Sequence, residues 1–382
     1  MKSQARICIL VAGLHRSGTS ATTRVVNLLG ADIACNLVAA IPGDNDRGFW
    51  ESHTTYQLHD RLFAALDSAW HDPFPLPEAW RESDAAREAK RAIRTHIESE
   101  FRDSGMFVVK DPRITRVLPL WLDVLDEGSI EPVIIIPFRN PLEVAASLER
   151  RNGLSLAHSL LVYIQGSLDV ELASRGRGRL FQRYDDLISD WRSFAERLAN
   201  IGGPDGSAVT PAIAGEIDEF LSADLKRQRA GGDRLASAAE GTTAAAIYDA
   251  MGQATAAGDD TALRARFDRV RERMLEPTKL FNAAASAQVK HFRDEIAKLE
   301  AKTADGARRR EAEIEELRAQ LRALEARAGD AARAQATANK EIASMLGSTS
   351  WRVTAPLRAI ARLVRASRSR RPTVKHGGLR RT

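Results

Sequence analysis

Apolar runs and stretches with helical spacing alternate through the first 200 residues of the chain. Arg6 to Ala12 is a short apolar run, and Ala21 to Leu29 after it carries the three-and-four spacing of an amphipathic helix, with Gly30 as its stop. Met106 to Lys110 and Pro132 to Phe138 are two further β-rich runs, each followed by a proline and a segment of helical periodicity. Leu154 to Ala173 predicts a long helix, Arg179 to Tyr184 a fourth strand, and Leu187 to Leu198 another helix. Strands that are apolar throughout are buried on both faces, and strands separated by helices pair in parallel. The expected fold is α/β: a three-layer αβα arrangement around a central parallel sheet.

Past Arg229 the pattern loosens into an Ala- and Gly-rich stretch, with Gly231-Gly232-Asp233 and Ala256 to Asp260, which predicts loosely packed helices or a linker. From about Val289 a charged helix follows. Ile314, Leu317, Leu321, Leu324, Ala328, Ala331, Ala338, Ile342 and Met345 fit a heptad broken at Gln335, and Phe292, Ile296 and Leu299 fit a register offset by a stutter near Gly306. This pattern predicts a coiled coil and self-association into a homo-oligomer, a solvated single helix being the alternative. The expected organisation is an α/β domain over 1–230, an Ala/Gly-rich helical linker over 231–285, a coiled coil over 286–346 and a basic tail over 347–382.

Composition changes this picture in two places. At 382 residues the chain exceeds what one hydrophobic core needs, which agrees with the added segments. Lys and Arg number 56 against 51 Asp and Glu, a net +5 that would ordinarily suggest a nucleic-acid partner. The excess is local. Residues 352–382 hold ten Lys or Arg and no acid, which leaves residues 1–351 at −5. The tail, not the body, is cationic, so nucleic acid is not the expected partner. If helical, the tail puts Val353, Leu357, Ile360 and Val364 on one face and Arg358, Arg362 and Arg365 on another, the profile of a helix lying on an anionic membrane. A tail docked on the coiled coil is the alternative. Two cysteines, Cys8 and Cys35, lack ligand spacing, so no metal site is expected. The run after Lys2 and Arg6 is too short for a signal peptide and no stretch approaches a membrane span, so the expected location is the cytoplasm, with peripheral contact at the inner face of the membrane.

Chemistry concentrates at Gly13-Leu14-His15-Arg16-Ser17-Gly18-Thr19-Ser20, between the first strand and the first helix. A glycine-containing loop that enters a helix offers unpaired N–H groups and the positive end of the helix dipole to a phosphate. In this P-loop-type setting Gly13 and Gly18 permit the tight path, and Thr19 and Ser20 add hydroxyls. A nucleotide kinase or hydrolase would carry lysine where this chain has Thr19. Here the cation is Arg16, inside the loop.

The loop resembles the 5′-phosphosulfate loop of sulfotransferases that use 3′-phosphoadenosine 5′-phosphosulfate. Phe138-Arg139-Asn140-Pro141 followed by Ser147 is similar to that family's 3′-phosphate signature, and Tyr184-Asp185-Asp186-Leu187 to its downstream tyrosine–acid–leucine element. The resemblance covers roughly residues 5 to 230. It implies a 3′-phosphoadenosine 5′-phosphosulfate site made by Gly13, His15, Arg16, Ser17, Gly18, Thr19, Ser20, Arg139, Ser147 and Tyr184, with Tyr184 against the adenine. Arg139 could equally be paired with Glu143 or Glu149, and Tyr184 could be a core residue.

Sulfuryl transfer needs in-line geometry and cations around the transferred group. Arg16 and Lys110 are the candidates, with Arg113 as a third contact, although a lysine ending a strand can also be a solvent-facing cap. For the base, bacterial carbohydrate sulfotransferases of similar pattern have a glutamate where this chain has Glu51, between Trp50 and Ser52. His53 is the rival by residue type, and a plain helix-start acid is the remaining reading of Glu51. The histidine of the family's cytosolic branch is replaced by Pro112. The family's basic-glycine element is also missing, Lys226-Arg227-Gln228-Arg229 being a poor match. Ser348 to Arg358 resembles a C-terminal element of bacterial proteins that handle envelope glycans, so the expected acceptor is a glycan or glycolipid hydroxyl. Two other expectations compete: a P-loop kinase or hydrolase, and a non-catalytic coiled-coil scaffold at the membrane surface.

Overall fold

A computed structural model of the chain describes residues 6–41, 45, 47–204, 209–221, 239–254, 261–274 and 314–330. The chain divides into two compact units, Met1–Gly329 and Asp330–Thr382, and all packing described below lies in the first. Four strands, β1 (Arg6–Val11), β2 (Met106–Lys110), β3 (Ile130–Phe138) and β4 (Gly178–Arg183), form one sheet in the order β2-β1-β3-β4. Every pairing is parallel, as the unbroken apolar runs predict.

Period-two alternation sorts the strand side chains between two cores. Ile9, Val11, Val108, Val133, Ile135 and Leu180 face α1 (Thr19–Leu28), α8 (Trp191–Ala199) and α9 (Pro211–Phe220). Cys8, Leu10, Phe107, Val109, Ile134, Ile136 and Phe181 face a larger layer: α2 (His53–Ala65), α3 (Asp84–Glu100), α4 (Ile114–Glu127), α5 (Pro141–Asn152) and α6 (Leu156–Ala173). The sheet is thus covered on both faces.

The helices depart from expectation in three places. α6 begins at Leu156, because the Ser155 side chain accepts from His158 N and fixes the start. The helix expected over Leu187 to Leu198 is two helices, α7 (Tyr184–Ser189) and α8, broken at Asp190, whose side chain caps α8 through Ser193 N. Tyr184 accordingly opens α7 instead of ending β4.

Residues 231–285, expected as a helical linker, carry α10 (Ala239–Gln253) and a further helix, α11 (261–274). Ala244, Ile247, Ala250 and Met251 of α10, with Leu263 and Phe267 of α11, are buried in the larger core. Arg175 and Arg271 pair with Asp268, and fully buried Glu171 on α6 pairs with Arg175, Arg179 and Arg271. Small side chains let α10 lie close to α6, which is why an Ala-rich segment reads as loose in sequence yet packs tightly. Of the expected coiled coil, α12 (314–330) is described, and Ile314, Leu317, Leu321, Leu324 and Ala328 are half-buried on it amid mostly exposed neighbours. The rest of the coiled coil and the basic tail lie outside the described residues. Among the described residues no helix is long and apolar enough to cross a membrane.

Candidate functional site

Strand order places the site. The chain leaves β1 to one side for β2 and returns across it to β3, so β1 ends at a switch point with the ends of β2 and β3 on either side. The loop Gly13–Ser20, Lys110 and Arg139 issue from those three ends.

The loop's path is fixed by backbone geometry. Arg16 and Gly18 are left-handed, with φ of 68° and 91°. A Cβ at Gly13 would stand 2.7 Å from Pro137 O, and one at Gly18 would stand 2.2 Å from the Tyr184 ring. Glycine is required at both positions. Buried Ser17 turns its hydroxyl inward to Leu14 O at 2.6 Å, so it braces the loop. Helix α1 is entered from Gly18 with no side-chain cap, as α4 and α7 are from Arg113 and Arg183, whereas α2, α3, α5, α6, α8 and α9 are capped by Ser52, Ser83, Asn140, Ser155, Asp190 and Thr210. The first N–H groups of α1 and the positive end of its dipole therefore face the loop without a side-chain acceptor.

Two clusters of cations flank this loop. On the β3 side, Arg16 Nε donates to Ser147 Oγ at 2.8 Å, which joins the loop to α5. Arg139 is buried, donates to Glu143 Oε2 at 2.7 Å and lies 4.8 Å from the Tyr184 ring centre. Burial pushes the Tyr184 hydroxyl up, against the lowering influence of Arg139. Arg16, Gly18, Arg139, Ser147 and Tyr184 are thus gathered on one side of the loop.

On the β2 side, Lys110 and Glu51 form an ion pair in which both side chains are almost wholly buried. Lys110 Nζ also donates to Phe49 O at 3.0 Å and lies 3.4 Å from Ser20 Oγ. Ser20 Oγ donates to Phe49 O at 3.1 Å and accepts from Asn45 Nδ2 at 3.1 Å. Lys110 is therefore no solvent-facing cap. Burial pushes the Glu51 carboxyl above its ordinary value, although Lys110 pulls against it. The chain reaches Glu51 through Gly48 at φ 92° and Trp50 at φ 57°, and the Arg24 guanidinium lies 4.7 Å from the Trp50 ring centre. His53 is exposed at the first position of α2, and its backbone N–H donates to Asn36 O at 2.9 Å.

Arg113 is held by two acids and an aromatic ring. Its Nε donates to Asp60 at 2.7 Å, its Nη1 to Asp111 at 3.1 Å, and it lies over the Tyr56 ring. Sequence reasoning also missed the side chain behind it: His59 Nδ1 lies 2.9 Å from Asp111 Oδ2, and Trp121 Nε1 donates to His59 Nε2 at 3.0 Å. The available signal was a histidine on the face of α2 that carries Thr55, Leu58, Leu62 and Phe63.

His15 packs at a tilt against Trp70 with ring centres 4.2 Å apart, and burial, aided by Arg113, holds its pKa well below the usual value. Its Nε2 and buried Ser159 Oγ have no hydrogen-bond partner among the described residues, and both residues line a narrow cavity with Leu14, Pro112 and Val162. No group of acids, histidines or cysteines suited to a metal occurs among the described residues.

No family model and no curated protein matches the chain. Among solved structures, it is similar to the sulfotransferase domain from the Synechococcus PCC 7002 olefin synthase, at 16% identity and a TM-score of 0.35, over 65% of this chain and 97% of that one.

Proposed function

We propose that the chain is a sulfotransferase that moves a sulfuryl group from 3′-phosphoadenosine 5′-phosphosulfate to an acceptor hydroxyl. One observation carries the reading: a buried carboxylate with a raised pKa is paired with a lysine beside an uncapped, glycine-dependent anion loop. The residues suit the donor. Its 5′ end is anionic, matching the α1 N-terminus, Arg16, Thr19 and Ser20, and its 3′-phosphate matches Arg139 and Ser147. Tyr184 beside Arg139 supplies a flat apolar face for a base.

The donor supplies an activated sulfuryl group. Glu51, kept from water, accepts the proton of the acceptor hydroxyl once Lys110 is shared with developing charge on the leaving oxygen. Lys110 is already held by three oxygens, so it can exchange one partner for another without moving far. Arg16 neutralises charge on the transferred group from the loop.

The acceptor we favour is a glycan or glycolipid hydroxyl, from the resemblance of residues 348–358. The heptad pattern on α12 supports homo-oligomerisation and the cationic tail supports contact with an anionic membrane from the cytoplasmic side. Thr19, in the lysine position of nucleotide hydrolases, disfavours that alternative. The test is ligand-induced thermal stabilisation. 3′-Phosphoadenosine 5′-phosphate is expected to raise the melting temperature while ATP with magnesium does not; the opposite pattern overturns the reading, and silence with both favours a scaffold.

A further inference from the structure

Three acid–base contacts join the segment Glu51–Asp60 to the turn Lys110–Arg113: Glu51 with Lys110, His59 with Asp111, and Asp60 with Arg113. The middle contact is fully buried, both side chains having 0% exposure. An indole N–H only donates, so the bond from Trp121 makes His59 Nε2 a bare acceptor. Nδ1 therefore carries the proton and donates it to Asp111 Oδ2, the ring being neutral and the carboxylate charged. Burial pushes the Asp111 carboxyl up, but the hydrogen bond from His59 and the charge and hydrogen bonds of Arg113 outweigh it and hold its pKa well below the usual carboxylate range. The other oxygen, Oδ1, accepts from Arg113 N at 2.9 Å and Nη1 at 3.1 Å. Asp111 is thus the buried pin of the turn, and His59 supplies the donor on the side that Arg113 leaves open.

We propose that His59 is a positioning residue for Lys110: through Asp111 it fixes the turn in which Lys110 leaves β2, and so holds the ammonium between Glu51, Ser20 and Phe49 O. The proposal rests on the reading of Glu51 and Lys110 as the transfer pair. Without a donor at Nδ1, a fully buried carboxylate oxygen is left unpaired, a cost the turn can relieve only by rotating Asp111 toward water. Lys110 is the adjacent residue and moves with it. Glu51 then loses its strongest opposing charge, and its pKa rises further. Besides Lys110, the charged groups facing Glu51 are Asp111 and Arg113 of the same turn. Arg151 of α5 and Arg24 of α1 approach the flanking Phe49 and Trp50.

Two substitutions separate this role from plain packing. His59→Asn puts an amide N–H near the position of Nδ1, whereas His59→Gln reaches the Trp121 side and leaves Asp111 without its donor. The first readout is nitrogen–proton NMR at neutral pH. It is expected to show a neutral Nδ1–H ring in the native protein. A slowly exchanging Lys110 ammonium signal should appear in the native protein and in His59→Asn, and be lost in His59→Gln. The second readout is hydrolysis of 3′-phosphoadenosine 5′-phosphosulfate with water as acceptor. Water oxygen bonds to sulfur, the bond from sulfur to the phosphate oxygen breaks, the proton goes to Glu51, and the products are 3′-phosphoadenosine 5′-phosphate and sulfate. His59→Gln should lower this rate by about 100-fold and move the acid limb of its pH profile upward, with product affinity unchanged, and His59→Asn should restore most of the rate.

Equal loss in the two variants at equal melting temperature, an unmoved pH profile, an Nε2–H ring or an imidazolium each overturns the proposal. Native protein that neither binds nor hydrolyses the nucleotide overturns the transferase reading instead, and the ammonium signal still decides the role of His59.

Discussion

Two buried cation–carboxylate pairs stand on opposite sides of the loop, and they are built differently. Arg139 and Glu143 are four residues apart on one strand-to-helix turn, so local chain geometry brings them together. Lys110 and Glu51 are 59 residues apart, and three elements and two left-handed residues are needed to make them meet. In the proposed reading the first pair is a seat: a planar guanidinium held in orientation that exchanges carboxylate for phosphate. In the same proposed reading the second is an acid–base centre, since burial raises the carboxyl while the lysine pulls against it. A cation near a phosphate loop therefore says little by itself. In the proposed reading, how its carboxylate is delivered separates binding from chemistry.

The comparison can be broken most sharply at Glu51. Glu51→Gln should lower transfer by about 100-fold to 10,000-fold and leave the affinity for 3′-phosphoadenosine 5′-phosphate intact in titration calorimetry. In the native protein a raised carboxyl pKa means the base is lost as pH falls through that value. The rate should therefore rise with pH across a window above the ordinary carboxylate pKa, and a rate flat through that window would remove Glu51 from the role. A smaller effect of the opposite kind is expected at Arg139. Arg139→Ala should weaken nucleotide binding by about 2 kcal/mol, roughly 30-fold, and spare turnover at saturating donor; a loss confined to turnover would merge the two sites into one. The mildest change is Glu143→Gln, which removes a charge competing with the 3′-phosphate. Binding should stay the same or tighten slightly in the same titration, and clear weakening would make Glu143 a required orienter of Arg139.

The four strands were legible because burial on both faces leaves an unbroken apolar signature, and the loop because glycine, hydroxyl and cation occur in one short stretch. Helix α3 was not, since its buried stripe includes Ala86 and Ala89, which barely register as apolar beside Ile93 and Ile97. Lys110 and Glu51 could each be named, but not as partners, because nothing local encodes a contact across 59 residues. The ion pair of Arg113 was hidden for the same reason: its partner Asp60 lies on α2, and a lone basic residue in sequence looks free. His59 carried a signal, a polar residue on an apolar helix face, that becomes specific only once Asp111 and Trp121 are seen on either side of its ring.

The packing of α10 and α11 bears on modularity. Tyr248 meets Phe138 edge to face at 5.5 Å, its ring centre is 5.3 Å from the Arg183 guanidinium, and Gly252 admits that same guanidinium where any Cβ would collide. Phe138 immediately precedes Arg139, so a segment that reads as a helical linker packs against the end of β3 beside Arg139. A graft, swap or truncation that treats residue 230 as a seam would strip that packing. A unit cut from this chain should keep α10 and α11, whose apolar side chains belong to the larger core.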